Sequence, residues 1–158
     1  MLRAVIVCLS LGGLALGGCA TPEAQLSAAG TTRADVVRVL GEPKETWKLA
    51  DGGELLLYPT GPLGTRTYRA EIAQDGRVRE FAQTLNERGF SRLRIGATEE
   101  EVRKLYGKPA LVTPFDRRQE TGWDYRYVDQ WGYPAVFHVV FDASRLVKQT
   151  MTVRIDGD

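Results

Sequence analysis

A fourteen-residue pattern occurs twice in this chain, and it limits the chain to few folds. The first copy runs from Gly30 to Pro43 and the second from Gly96 to Pro109, 66 residues later. Each copy contains the start and the stop of a short helix. Thr32 and Thr98 stand at the N-cap position, with Asp35 and Glu101 three residues on, where a carboxylate reaches back to the cap's own N–H. Glu is the more usual residue there, so the second box is predicted to be the better one. Val36, Val39 and Leu40 share one helix face, as do Val102, Leu105 and Tyr106. Gly41 and Gly107 suit the left-handed position after a helix, and Pro43 and Pro109 prevent continuation. A helix of about two to three turns is marginal alone in water, because nucleation is costly. Each copy therefore needs a surface to pack on.

The residues after each copy read as that surface. In the first unit, strands are predicted over Glu45–Leu49, Glu54–Tyr58, Thr65–Ala73 and Arg77–Leu85, separated by Asp51-Gly52-Gly53, the Pro59–Gly64 loop and Asp75-Gly76. In the second, Leu111–Thr113 is a weak strand and Pro114–Glu120 a charged loop. Thr121–Val128 alternates, Pro134–Phe141 is the most apolar strand, and Leu146–Ile155 closes the chain. The pairs Gln83-Thr84 and Gln149-Thr150 keep the 66-residue offset, but the last strands differ by one residue between turn and pair, which predicts a bulge or a shifted turn. The chain thus divides into repeat 1 at 29–86, a polar connector at 87–95 and repeat 2 at 96–156. The fold class is α+β: two tandem helix-plus-antiparallel-sheet repeats, with helices packed on one face of the sheet. Whether the two sheets join edge to edge or form separate lobes is left open.

Residues 1–18 lie outside this scheme. Arg3 gives a positive start, and Ala4–Leu16 is an apolar run of signal-peptide length, short for a membrane span. The run ends in Leu16-Gly17-Gly18-Cys19, which resembles the bacterial lipobox. That resemblance implies cleavage after Gly18 and lipidation of Cys19. Ala20, rather than an aspartate, follows, and by resemblance to lipoprotein sorting this favours the outer membrane. Residues 19–28 read as a short polar tether. Cys8 leaves with the signal and Cys19 carries lipid, so no thiol remains for a disulfide, a metal or nucleophilic catalysis. Without Arg3, the Lys and Arg count falls from 21 to 20, against 20 Asp and Glu, which excludes the basic excess of a nucleic-acid binder. About 130 residues remain, enough for one ordinary domain.

The pattern Gly-x-Thr-x-x-acidic-Val-x-x-x-apolar-Gly-x-Pro, followed by strands and preceded by a lipobox, resembles the SmpA/OmlA family of BamE-like outer-membrane lipoproteins. The tandem arrangement also resembles the β-lactamase inhibitory proteins, two helix-plus-sheet repeats with a concave sheet surface that grips an enzyme. The motif covers about 14 residues per repeat; the strand pattern extends the likeness over 29–156. The resemblance implies a periplasm-facing, non-enzymatic, protein-binding role in cell-envelope integrity or β-barrel assembly. The implied partners are the membrane, through the anchor, and an envelope protein such as the barrel-assembly machinery. The alternative is an inhibitor or sequestering protein of a periplasmic enzyme. The small assembly lipoprotein has one such unit and this chain has two, so no partner-contacting residue transfers.

No catalytic constellation stands out. His138, the single histidine, lacks a Ser-His-Asp or Cys-His setting and reads as structural or half-buried. One histidine without a free cysteine argues against zinc, and no cofactor motif appears. Trp123, Tyr125 and Tyr127 are predicted to face the core, or else to form an exposed platform. If they face the core, Asp124 and Arg126 occupy the open sheet face and become partner-binding candidates. Trp131 and Tyr133 fall in a turn with Gly132 and Pro134, where large aromatics either fold back as a cap or contact a partner or lipid. Leu63, near the tip of the Pro59–Gly64 loop, is the equivalent candidate in repeat 1. Asp116-Arg117-Arg118 reads as a solvated run.

Overall fold

The computed structural model describes residues 21–60 and 64–155. Both repeated patterns form the helices they encode, α2 at Arg33–Leu40 and α4 at Glu99–Tyr106. Both capping boxes close. The Thr32 N–H donates to Asp35 Oδ2 at 2.9 Å and the Thr98 N–H to Glu101 Oε2 at 2.7 Å. Each threonine hydroxyl accepts from the N3 backbone N–H at 3.3 Å. The Thr32 hydroxyl and N–H hold the Asp35 carboxyl below its ordinary pKa, and the Thr98 N–H and hydroxyl do the same for Glu101.

The helix stops differ from expectation. Gly41 (φ 80°, ψ −163°) and Gly107 (φ 77°, ψ −157°) have positive φ but extended ψ, so they lie outside the left-handed helical well. That region is essentially closed to residues with a side chain. A Cβ at Gly41 would meet nothing within 4 Å. Gly41→Ala is therefore expected to cost about 1–3 kcal/mol through backbone strain alone, measurable as a shifted urea midpoint with unchanged slope.

Each helix is followed by a four-stranded antiparallel meander. Sheet 1 has the order β1 (Glu45–Lys48), β2 (Glu54–Thr60), β3 (Arg66–Ile72), β4 (Val78–Gln83). Sheet 2 has β5 (Leu111–Phe115), β6 (Glu120–Val128), β7 (Pro134–Phe141), β8 (Val147–Arg154). This is the α+β architecture in two tandem units. A bulge falls at the same place in both, between Glu71 and Ile72 on β3 and between Val140 and Phe141 on β7.

Three segments depart from the sequence reading. Within the stretch read as tether, Pro22–Leu26 forms α1. Thr21 caps it by accepting the Ala24 N–H, Pro22 starts it, and Leu26 is buried in the first core. Cys19 and Ala20, with the signal segment, lie outside the described residues. Within the connector, Glu87–Phe90 forms α3, because the Asn86 side chain accepts the Gly89 N–H at 2.8 Å and Phe90 has a core to enter. At the start of the charged loop, Pro114 and Phe115 continue β5 before a 3₁₀ turn at Asp116–Arg118.

Two cores result. The first joins Leu26 and Val36 to Leu56, Tyr58, Tyr68, Ala70, Ile72 and Phe81. The second joins Leu85, Phe90, Val102 and Tyr106 to the inner face of sheet 2. There Trp123, Tyr125 and Tyr127 are all buried. The Tyr125 and Tyr106 hydroxyls donate to the Gly107 and Gly89 carbonyls at 3.1 Å each, and burial pushes both phenols well above their ordinary pKa.

How the repeats meet was open in the sequence. They join neither edge to edge nor as separate lobes: α4 packs on β2. Leu55 and Leu57, on the face of β2 opposite Leu56 and Tyr58, are 1% and 0% exposed. On this face the Thr67 hydroxyl donates to the Tyr106 carbonyl at 3.2 Å, and Arg103 donates to Glu45 at 2.9 Å. Arg103 and Lys104 lie over the Trp47 ring. Arg92 and Arg69 both donate to Glu80. The Arg92 hydrogen bond comes first among the causes that hold the Glu80 carboxyl low. Sheet 1 is thus covered on both faces, whereas sheet 2 keeps its outer face free of any helix among the described residues.

Candidate protein-binding surface

With Trp123, Tyr125 and Tyr127 turned inward, strand alternation puts Gly122, Asp124 and Arg126 on the outer face of sheet 2. Register places Leu111, Asp124, His138 and Met151 in one row across the sheet, and Arg126, Val136 and Val153 in the next. Asp124 Oδ1 and His138 Nδ1 lie 2.7 Å apart, each side chain partly exposed. His138 is half-buried, and its hydrogen bond with Asp124 accounts for its position. Arg126 is exposed.

Around this pair lies a groove of about 450 Å³ lined by Phe115, Gly122, Asp124, His138, Val140 and Met151. Its shape depends on Gly122: a Cβ there would come within 3.0 Å of the Phe115 ring. The ring therefore leans across the glycine, with the Arg118 guanidinium 4.9 Å above it. Glu120 closes the end by pairing with Arg118 at 3.2 Å and Lys148 at 2.7 Å. Among the described residues no group of three or more His, Cys, Asp or Glu side chains is arranged to hold a metal ion. The groove offers shape, hydrogen bonds and paired charge, which is the chemistry of binding.

The β6–β7 hairpin tip carries the aromatic candidates. Trp131 is 67% and Tyr133 53% exposed. The backbone N–H groups of both donate to Asp129 Oδ1 at 2.9 Å, and Arg154 donates to Asp129 Oδ2 at 2.6 and 3.0 Å. The Arg154 guanidinium also lies 5.3 Å from the Trp131 ring and 4.4 Å from that of Tyr133. The two rings neither enter the core nor hang free, because a paired arginine anchors them at the surface.

Burial pushes the Asp129 carboxyl up, but the N–H of Tyr133, the Arg154 guanidinium and the N–H of Trp131 together bring it below its ordinary 3.8. A group depressed on folding stabilises above its unfolded pKa and loses that contribution as pH falls through the folded value. The hairpin is therefore expected to stay formed at pH 4 and to loosen only below pH 3.8. The amide shifts of Trp131 and Tyr133 should report this, and Asp129→Asn should flatten the titration.

The structure brings Asp124 and Arg126 onto one face and puts Trp131 and Tyr133 at one end of the same sheet. Leu63 lies outside the described residues. Phe115, Met151, Val153 and Arg154 escaped sequence reasoning. The alternation Gln149, Met151, Val153, Ile155 was the available signal for the outer row, and nothing local pairs Arg154 with a tip 21 residues earlier.

Fold and surface together define a tandem helix-plus-meander protein in which one sheet face is uncovered among the described residues. Residues 83–151 match the outer membrane protein assembly factor BamE domain, a span from the end of β4 to the middle of β8, so the second unit is BamE-like. No curated protein sequence matches the chain. Three solved structures align with it. A DUF4309 family protein, YjgB of Bacillus subtilis subsp. subtilis str. 168, is 21% identical, with 85% of this chain and 86% of that one covered and a TM-score of 0.32. A candidate beta-lactamase inhibitor protein from Streptococcus mutans is 9% identical, with coverages of 77% and 82% and a TM-score of 0.33. An extracellular protein containing a SCP domain from Bacillus anthracis str. Ames is 13% identical, with 93% of this chain but 50% of that one covered and a TM-score of 0.34.

Proposed function

We propose that this chain is an outer-membrane lipoprotein facing the periplasm, a non-catalytic interaction module in envelope integrity or β-barrel protein assembly. The observation that carries the reading is the match of residues 83–151 to a domain described as an outer membrane protein assembly factor. In this reading residues 1–18 are removed after Gly18 and acyl chains on Cys19 hold the domain at the membrane. No helix among the described residues is long and apolar enough to cross a bilayer, and several acyl chains supply stable anchoring without one. The partner meets the outer face of sheet 2 near Asp124 and Arg126, and Trp131 and Tyr133 extend the contact around the β6–β7 tip to the side where Arg154 lies. Aromatic anchors and a paired arginine are what a binding hot spot uses.

The test is a crosslinked pull-down from membranes with the wild-type chain and Cys19→Ala, signal retained. Recovery of barrel-assembly components by wild type alone supports the anchored module. Equal capture of a soluble periplasmic enzyme by both favours the second reading, an inhibitor or sequestering protein. The Phe115–Asp124–His138 groove supports that alternative, because it offers room for an inserted loop.

A further inference from the structure

An antiparallel meander has two edges, and an uncovered edge strand offers unpaired N–H and C=O groups to any extended chain. Of the four edges here, three are short or obstructed. β1 has four residues, with Trp47 under Arg103 and Lys104. β4 has six, carries the ion-paired Arg79 and Glu80, and has α1 packed against it. β5 has five and contains Pro114. β8 has eight residues, no proline, and a side-chain surface that is mostly exposed from Lys148 onward.

The direction of its free groups comes from register. Val147 is already bonded outward, accepting from Gly96 and donating to Ala97. Beyond the bulge, the Ile155 N–H donates to the Pro134 carbonyl at 2.8 Å, which puts Pro134 and Ile155 at a hydrogen-bonded site of the ladder, with one bond because proline has no N–H to return. Alternation along an antiparallel strand then turns Val153, Met151 and Gln149 toward β7 and points the N–H and C=O of Thr150, Thr152 and Arg154 away from the sheet. Among the described residues no backbone group is bonded to those of Thr150, Thr152 and Arg154 on that outer side.

We infer that β8 is a docking edge, which an extended segment of another protein joins as a fifth, antiparallel strand of sheet 2. This rests on the protein-binding reading above and specifies its partner. The chemistry of β8 sets the partner's sequence. Met151, Val153 and Ile155, each about half exposed, continue the outer face and call for apolar residues beside them. Thr150 and Thr152, on the other side, suit hydroxyl or amide residues. Lys148 shares Glu120 with Arg118, which leaves that end of the strand net positive, whereas Arg154 is matched by Asp129, so the segment carries an acidic residue at its end beside Lys148. A second copy of this chain offers no such acid: self-pairing centred on Met151 sets Lys148 against the second copy's Arg154. The partner is thus an alternating strand of the kind an unfolded β-rich protein exposes.

The probe is a nine-residue peptide of alternating valine and threonine with an aspartate at its C-terminal end, beside Lys148, added to the full-length lipoprotein in detergent micelles. Amide exchange at Thr150, Thr152 and Arg154 is expected to slow by about tenfold or more at saturation, while Met151 and Val153 change little. Thr152→Pro deletes an outward N–H and leaves the β7 ladder whole, since an edge tolerates proline on its open side. It should abolish protection at Thr150 and Arg154. Val153→Lys, a milder change on the same edge, should weaken the peptide about tenfold. Saturation by the peptide without protection, or protection that survives both variants, overturns the proposal. So does a dimer in sedimentation that protects the same amides with no peptide present, which assigns the edge to a second copy. In the membrane pull-down, a partner recovered equally by wild type and Thr152→Pro leaves the protein-binding reading standing and removes the edge from it. Recovery of no protein by either removes the reading itself, and the peptide titration still judges the edge.

Discussion

Replacing Phe90 with alanine is expected to remove about 3–5 kcal/mol of stability, the range for emptying a buried aromatic site. Phe90 is the residue through which α3 enters the second core. Its ring stacks on Phe137 with centroids 3.9 Å apart and meets the edges of Tyr127 at 4.8 Å and Tyr106 at 5.9 Å. The site cannot easily collapse on a smaller side chain. Gly89, next to it, is pressed so closely to the Thr84 backbone that a Cβ there would lie 2.0 Å from the Thr84 oxygen. The Gly89 carbonyl is held by the Tyr106 hydroxyl. With α3 pinned on both sides, the cavity stays open and the full cost is felt. Against a total stability of about 5–15 kcal/mol for a domain, the loss should bring the variant close to unfolding. Urea denaturation of wild type and Phe90→Ala measures it. A loss under about 1 kcal/mol would mean that α3 is not an integral part of the core.

Leu57→Ala is expected to cost about 2–5 kcal/mol, and it tests a different claim, that the two repeats are one cooperative unit. Leu57 lies on the face of β2 turned away from its own core and is fully buried. The element packed on β2 is α4, whose other side contributes Val102 and Tyr106 to the second core. A cavity at Leu57 therefore loosens the seat of a helix that both repeats use. The backbone amide signals of Tyr68, in the first core, and Phe137, in the second, report on the two sheets separately. Their unfolding transitions should coincide in the wild type and move down together in the variant, as a two-state protein requires. Separate transitions, or a Leu57→Ala midpoint equal to wild type, would show that the repeats stand apart.

The local parts of this architecture were legible because they are written in short range. A helix with a threonine cap, an acid at N3, an apolar face and a terminating Gly-x-Pro needs no distant residue to specify it. Strands bounded by Asp-Gly and Gly-Gly turns are nearly as self-contained. Where short-range signals were weak, the reading missed. Pro22–Leu26 is one turn of helix with a single large apolar residue, Leu26, too little periodicity to stand out from a tether. Glu87–Phe90 is shorter still, and its polar neighbours hid the fact that Phe90 completes an aromatic cluster built from three other elements. The unbroken Leu55-Leu56-Leu57 run did carry a long-range message, since a strand apolar at successive positions is buried on both faces. Of the candidate surface, the inward turn of Trp123, Tyr125 and Tyr127 followed from alternation alone. The pairing of Asp124 with His138 and of Arg154 with the hairpin tip did not, because register and distance, not sequence spacing, bring those groups together.

By itself, then, the sequence determined two copies of a capped helix followed by a meander, the residues each helix buries, and the α+β class. Every one of those features is set by hydrogen bonds or periodicities spanning a few residues. Only the tertiary structure decided that α4 seats on the back of sheet 1, so that, among the described residues, one sheet is closed on both faces and the other is left with a bare face and an open edge. That choice depends on how apolar areas more than forty residues apart are hidden from water together, as Leu57 and Tyr106 are. Burial of that kind is a property of the packed molecule: the Leu55–Leu57 run says that β2 is covered on both faces, and no local pattern says by what.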